Sequence, residues 1–167
     1  SLTHSHTHSF SLVFFSHSFI HSFLFFLSLP IQADCYLSDK RGWTALHCAA
    51  VRNQEEVLEE LTKQRHIDFS SKNDDDNTPL HYLARNPCTK TTEHIVKLFL
   101  NGGADVNAQN CNCETPLHMA VWKNNPGMIS LLLDSGADPK IPNNKGESPW
   151  DWAIKLKNPE IIQIFER

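Results

Sequence analysis

The chain has 167 residues, a formal net charge of −4 and 20% charged residues. This length fits one domain with a buried core, and the mildly acidic balance argues against general nucleic-acid binding, which depends on a basic surface. The five cysteines form no regular framework, and their odd number indicates reduced thiols in a cytoplasmic or nuclear protein.

The N-terminal segment, residues 1–32, contains no Lys, Arg, Asp, Glu, Gly or Asn. We interpret it as a disordered, low-complexity segment translated from non-coding sequence, because Ser, Phe, Leu and Pro codons are pyrimidine-rich. Two alternatives stay open. A secretory signal would use 19–29 as its apolar core, although no positive charge precedes it. A membrane span would use 10–31, and a membrane partner is expected only in that case.

A short motif recurs along the rest of the chain. It reads TALHCAA at 44–50, TPLHYLA at 78–84, TPLHMA at 115–120 and SPWDWA at 148–153, with spacings of 34, 37 and 33 residues. A period of this size is typical of stacked small units rather than one closed core. The Thr or Ser suits the cap of a helix, and Pro suits its first position because an N–H there would be unpaired anyway.

The pattern predicts four repeats, over about 39–71, 72–108, 109–141 and 142–167, each with a turn followed by two helices. In repeat one we expect the helices over 45–52 and 54–64. His66 takes the place of a glycine that later repeats have at 103 and 136. A left-handed residue there costs about 1 kcal/mol without glycine, so a looser turn is expected.

Repeats two to four each depart from the pattern at one point. In repeat two, Pro87 is expected to end the first helix, and residues 88–91 lengthen the loop before the second. The acidic run 74–76 lacks the alternating oxygens of a calcium loop and is predicted to be an exposed turn. Repeat three carries Cys111 and Cys113 in its turn, too few ligands for zinc. Repeat four has Trp and Asp where the motif has Leu and His.

These motifs resemble those of the ankyrin repeat family, whose TPLHxA signature is matched in full at 115–120. Gly-Ala-Asp at 103–105 and 136–138 is a second shared marker. The resemblance covers 33–167 and implies an all-α solenoid of about four helix-turn-helix repeats with hairpin loops, expected to be a piece of a longer array. It also implies that the motif histidines bond the Thr hydroxyl or the backbone of an adjacent turn.

The resemblance further implies that the first helices and hairpin tips line a concave, partner-binding face. The predicted partner-binding residues are Arg52, Tyr82, Arg85, Met119, Trp122, Lys123, Trp152 and Lys155. Aromatic, Arg and Met side chains are enriched at interface anchors, and the four basic residues favour an acidic or mixed peptide. For Tyr82 and Trp122, packing within the stack is an open alternative.

The sequence holds no Gly-rich phosphate loop, nucleophile elbow or HExxH motif, so we expect no catalytic residue, no cofactor and no metal. The predicted function is a protein-interaction module, a scaffold or adaptor whose partner is another protein rather than nucleic acid or a small molecule. The alternative is a non-catalytic targeting domain of a larger enzyme such as a kinase or ubiquitin ligase. The resemblance also implies a substrate role, with Asn107 hydroxylated.

Overall fold

The computed structural model describes residues 38–64 and 66–167, which form eight α-helices and no β-strand. The interpretation of residues 1–32 therefore lies outside the described residues, as does Cys35. In chain order the helices are α1 (Ala45–Val51), α2 (Glu55–Thr62), α3 (Pro79–Leu83), α4 (Lys90–Asn101), α5 (Pro116–Trp122), α6 (Pro126–Asp134), α7 (Pro149–Leu156) and α8 (Pro159–Phe165). None of these helices is long and apolar enough to cross a membrane.

The first helix of every repeat begins where the motif predicts. Its cap is Thr44, Thr78, Thr115 or Ser148, each in extended backbone, and the side chain three residues later bonds back to the cap. Proline occupies the start of three of these helices. The helical start is thus encoded locally, by a cap and a residue without an N–H.

The insertion in repeat two differs from the prediction. Helix α3 already ends at Leu83, ahead of Pro87, and α4 begins at Lys90. The expectation that Pro87 ends the helix and that residues 88–91 are all loop was therefore wrong. The reason is local: the Thr89 hydroxyl accepts the backbone N–H of Thr92 at 3.0 Å and so caps α4 two residues earlier than expected.

The end of α2 also departs from the prediction. The helix ends at Thr62, so the turn to His66 is longer than the turns that reach the glycines of later repeats. His66 nevertheless has a φ of 64°, in the left-handed region where Gly103 and Gly136 have 96° and 92°. The looser turn that was expected is therefore present, and the exposed histidine keeps the left-handed conformation within it.

The helices stack in two rows. The first helices α1, α3, α5 and α7 pack side by side, and the second helices flank them. Fully buried Leu and Ile side chains from both rows form a continuous core, including Leu46, Leu80, Leu117, Ile129 and Ile161. Asparagine amides tie successive repeats together: Asn86 donates to the Ala50 carbonyl and Asn125 to the Asn86 carbonyl, both at 2.7 Å. The solenoid therefore has one core, built from neighbour contacts.

The hairpin tips are a second repeated structure. In each tip the side-chain oxygen of an Asp or Asn accepts two backbone N–H groups, at Asp39, Asn73, Asn110 and Asn143. Backbone bonds of 2.9 Å link each tip to the next. Each tip turns through a residue with positive φ, which is Gly42, Asp76, Cys113 or Gly146. Cys113 is thus a turn residue.

Candidate partner-binding surface on the first helices

The motif histidines are buried and hold adjacent repeats together. In His47, His81 and His118, Nδ1 lies 3.0–3.2 Å from the Thr backbone nitrogen and 2.8–3.0 Å from the Thr hydroxyl. A backbone N–H can only donate, so Nδ1 accepts and Nε2 carries the proton. Nε2 then donates to a carbonyl of the next repeat at 2.9–3.1 Å. Structure and expectation agree on this role.

Burial lowers the pKa of all three histidines, because an imidazolium at these positions would be desolvated. For His81 the pKa falls from 6.5 to about 4, with the bond to the Glu114 carbonyl opposing the shift. These rings are neutral near pH 7, and their hydrogen bonds hold adjacent repeats together beneath the surface.

Trp122, at the end of α5, is the most exposed large apolar side chain among the described residues, at 55%. Two cations lie against its ring: the Arg85 guanidinium carbon is 5.1 Å from the ring centroid and the Lys123 ammonium is 4.6 Å from it. Both distances fit cation–π contacts. Arg85 comes from the preceding repeat, so this cluster spans two repeats.

A cleft of about 210 Å³ separates Trp122 from repeat four, and it is lined by Val121, Trp122, Trp152, Lys155 and Leu156. Trp152 is held in place at one end: its indole N–H donates to Glu147 at 2.8 Å, and its ring meets His118 edge-on at 5.1 Å. Lys155 pairs with the same carboxylate. We call Arg85, Trp122, Lys123, Trp152, Lys155 and Leu156 the tryptophan patch.

The remaining predicted partner-binding residues lie outside this patch. Arg52 is exposed at the end of α1, and Met119 is half-buried against the core. Tyr82 is 8% exposed, because its ring packs against that of Trp43 with the centroids 5.0 Å apart and its hydroxyl accepts from Asn73 at 2.9 Å. Tyr82 therefore packs within the stack and offers little surface to a partner.

Sequence reasoning missed Glu147, which positions both Trp152 and Lys155. The residue stands in a hairpin tip rather than at a helical face position, so the spacing from the motif histidine did not reach it. Its equivalents just before the motif are Asn77 and Glu114, a polar position in each of these repeats. That recurrence is the signal that could have drawn attention to it.

Thiol and metal chemistry find little support in the described residues. No three His, Cys, Asp or Glu side chains there form a group that could hold a metal ion. Burial raises the pKa of the Cys48 and Cys88 thiols, which disfavours the reactive thiolate. His118 is buried and both of its ring nitrogens are hydrogen-bonded, so neither nitrogen is free to bind a metal ion together with Cys111 and Cys113.

Geometry alone defines a class: a helical repeat solenoid with an aromatic and basic patch on its first helices. The family model for ankyrin repeats matches residues 16–110 and 88–165. The chain belongs to the ankyrin repeat family. The first match includes residues 16–32, which the composition set apart, so the boundary at residue 33 stays a prediction.

Curated relatives match this chain over part of its length. A probable serine/threonine-protein kinase of Dictyostelium discoideum is 35% identical over 109 residues, 65% of this chain and 13% of the relative. Human ankyrin repeat domain-containing protein 53 is 34% identical over 83 residues, covering 50% and 16%. Human transient receptor potential cation channel subfamily A member 1 is 38% identical over 77 residues, covering 46% and 6%. The chain therefore spans a small part of each relative.

Proposed function

We propose that this ankyrin repeat domain is a protein-interaction module, a scaffold or adaptor that binds another protein through its first helices. The observation that carries the proposal is the exposure of Trp122 between two cations. Trp and Arg are the residue types most enriched at binding hot spots, and a Trp exposed to this extent gains much by being covered. Ankyrin repeats are a non-catalytic interaction fold, which agrees with this function.

The position of Trp122 supports a role in binding rather than in folding. The same helix buries Leu117, Ala120 and Val121 completely, whereas Trp122 follows them at the exposed end. Truncating it removes surface and leaves the core packing intact. Substitutions at such exposed positions usually change the free energy of unfolding by no more than about 0.5 kcal/mol.

The test compares proteins captured from a cell extract by the full chain and by two variants, using quantitative mass spectrometry. Trp122→Ala is expected to lose a protein that the wild type retains. Ile154→Ala is the matched control, because Ile154 is also a large, 47% exposed apolar side chain but lies on the end of the stack. Both variants are expected to melt close to the wild type.

Two outcomes would contradict the proposal. Equal capture by wild type and Trp122→Ala would show that the tryptophan does not contact the partner. A large drop in melting temperature for Trp122→Ala would assign the residue to packing instead.

A second candidate function is a non-catalytic targeting domain within a larger enzyme. The observation that favours it is the similarity to two Dictyostelium discoideum kinases, the probable kinase above and stress-activated protein kinase alpha, of which this chain matches 13% and 11%. Sequencing the full-length transcript distinguishes the two: a kinase domain in the same reading frame supports this candidate, and its absence favours the scaffold or adaptor.

A further inference from the structure

We infer that the tryptophan patch recognises a peptide segment in which one large apolar side chain is flanked by acidic residues. The apolar side chain enters the cleft between Trp122 and Trp152, and the carboxylates pair with Arg85 and Lys123. This inference rests on the proposed function and names the chemistry of the partner.

The shape and lining of the cleft indicate the apolar part. Its volume of about 210 Å³ is several times the ~30 Å³ that one water occupies, so a side chain can enter. Trp122, Trp152, Leu156 and Lys155 line this open cleft, and Leu156 is 41% exposed. An apolar side chain placed there removes surface on both sides from water, which is the usual source of anchor energy.

The charges around the cleft indicate the acidic part. In the described ranges neither Arg85 nor Lys123 has a carboxylate within salt-bridge distance, whereas Lys155 is paired with Glu147. The two cations instead lie on the Trp122 ring, which holds them beside the cleft. A guanidinium in a cation–π contact still has N–H groups with which it can bind a carboxylate.

The surroundings favour acidic peptide over nucleic acid. The chain carries a net charge of −4, and the hairpin tip of repeat two presents the exposed acidic run 74–76. A phosphate backbone would meet this repulsion along its length and needs a continuous basic stripe. A short segment with one or two carboxylates needs only the local pair of cations.

The experiment pans a phage-displayed library of random 12-residue peptides against the full chain. We expect enriched peptides to carry a large apolar residue with Asp or Glu within a few positions. The most enriched peptide is then synthesised with a fluorescent label, and its affinity is measured by anisotropy. The double variant R85Q/K123Q is expected to bind it about tenfold more weakly, as the loss of two partly desolvated ion pairs predicts.

The matched control is K90Q/K97Q, which also removes two positive charges, but from α4, one of the second helices. It is expected to stay within twofold of the wild type. Equal weakening by the two double variants, or displacement of the peptide by heparin at low concentration, would indicate unspecific charge attraction and overturn the inference. A library that enriches no peptide overturns it as well.

Failure of the inference is distinguishable from failure of the proposed function. Enriched peptides without excess Asp or Glu, whose binding is still lost in Trp122→Ala, would overturn the acidic-segment inference and leave the interaction surface standing. Peptides that bind Trp122→Ala and R85Q/K123Q as tightly as the wild type would place binding elsewhere and overturn both.

Discussion

At the scale of single residues, each of the three motif histidines uses one ring both to cap its own helix and to bond to the next repeat. Nδ1 must accept from the Thr backbone while Nε2–H donates to the next repeat, so only one neutral tautomer satisfies both neighbours. Protonation would place a hydrogen between Nδ1 and a donor. The hydrogen bonds that join adjacent repeats therefore require each histidine to be neutral.

This requirement predicts a pH-dependent stability. Below pH 6.5 His81 is protonated in the unfolded chain but still neutral in the folded one. The contribution of His81 to the free energy of unfolding is therefore fully present above pH 6.5 and is lost as the pH falls towards its folded pKa of about 4. The shift at His81 alone corresponds to about 3 kcal/mol. Urea unfolding at pH 7.5 and pH 5 is expected to show a lower free energy of unfolding at pH 5.

His81→Gln separates this effect from that of other groups. The variant is less stable at pH 7.5 because it loses a buried cross-repeat bond, but it loses less stability between pH 7.5 and pH 5 than the wild type. Hydrogen-bonded carboxylates such as Asp151, whose pKa is lowered mainly by its bond to the Ser148 hydroxyl, lose their contribution only at lower pH. An unchanged pH slope in His81→Gln would rule out the histidine.

The sequence did not decide which aromatic residues are exposed to a partner and which pack within the stack. Tyr82 and Trp122 stand one and four positions after their motif histidines, and both were predicted to bind. The outcome depends on contacts between repeats, since Trp43 of repeat one covers Tyr82. Periodicity identifies the face of a helix, but not the neighbour that covers a given side chain.

At the scale of elements, the starts of the four first helices were predictable, whereas helix ends and the start of α4 were not. A start depends on a cap and the residues just after it, all encoded within the motif, and all four first helices begin as expected. An end depends on where the next connection must run, as α3 and α2 show by ending earlier than expected. Repeat four illustrates a substitution that works: Asp151 replaces the histidine and still accepts the Ser148 N–H at 2.8 Å.

The left-handed His66 gives a prediction for the end of α2. His66→Gly is expected to raise the free energy of unfolding by up to about 1 kcal/mol, because glycine adopts a positive φ without steric cost. His66→Ala serves as the control and is expected to leave stability unchanged or lower it, since a Cβ remains. Urea midpoints measure both; a glycine variant no more stable than the alanine variant would show that the turn relaxes without strain.

At the scale of the whole molecule, the described stack ends on a weaker repeat. Ile154 is 47% exposed, while the equivalent Ala50, Ala84 and Val121 are fully buried against the following repeat. Asp151 also lacks the N–H with which the motif histidines reach across to a neighbour. Among residues 38–64 and 66–167, repeat four thus packs and bonds to a neighbouring repeat on one side only, and in a stack of this kind stability is a sum of repeat and neighbour terms.

This asymmetry predicts how a local defect spreads. Ile129 in repeat three and Ile161 in repeat four are both fully buried, so Ile→Val at either position costs about 0.5–1.5 kcal/mol. Ile129→Val is expected to speed amide hydrogen exchange in α3 to α8, because repeat three supports a neighbour on each side. Ile161→Val is expected to speed exchange in α7 and α8 only, since repeat four can open without exposing the core of repeat two. Hydrogen exchange followed by mass spectrometry resolves these segments. If both variants sped exchange equally along all eight helices, the stack would open as a single unit and its repeats would have no separate stabilities.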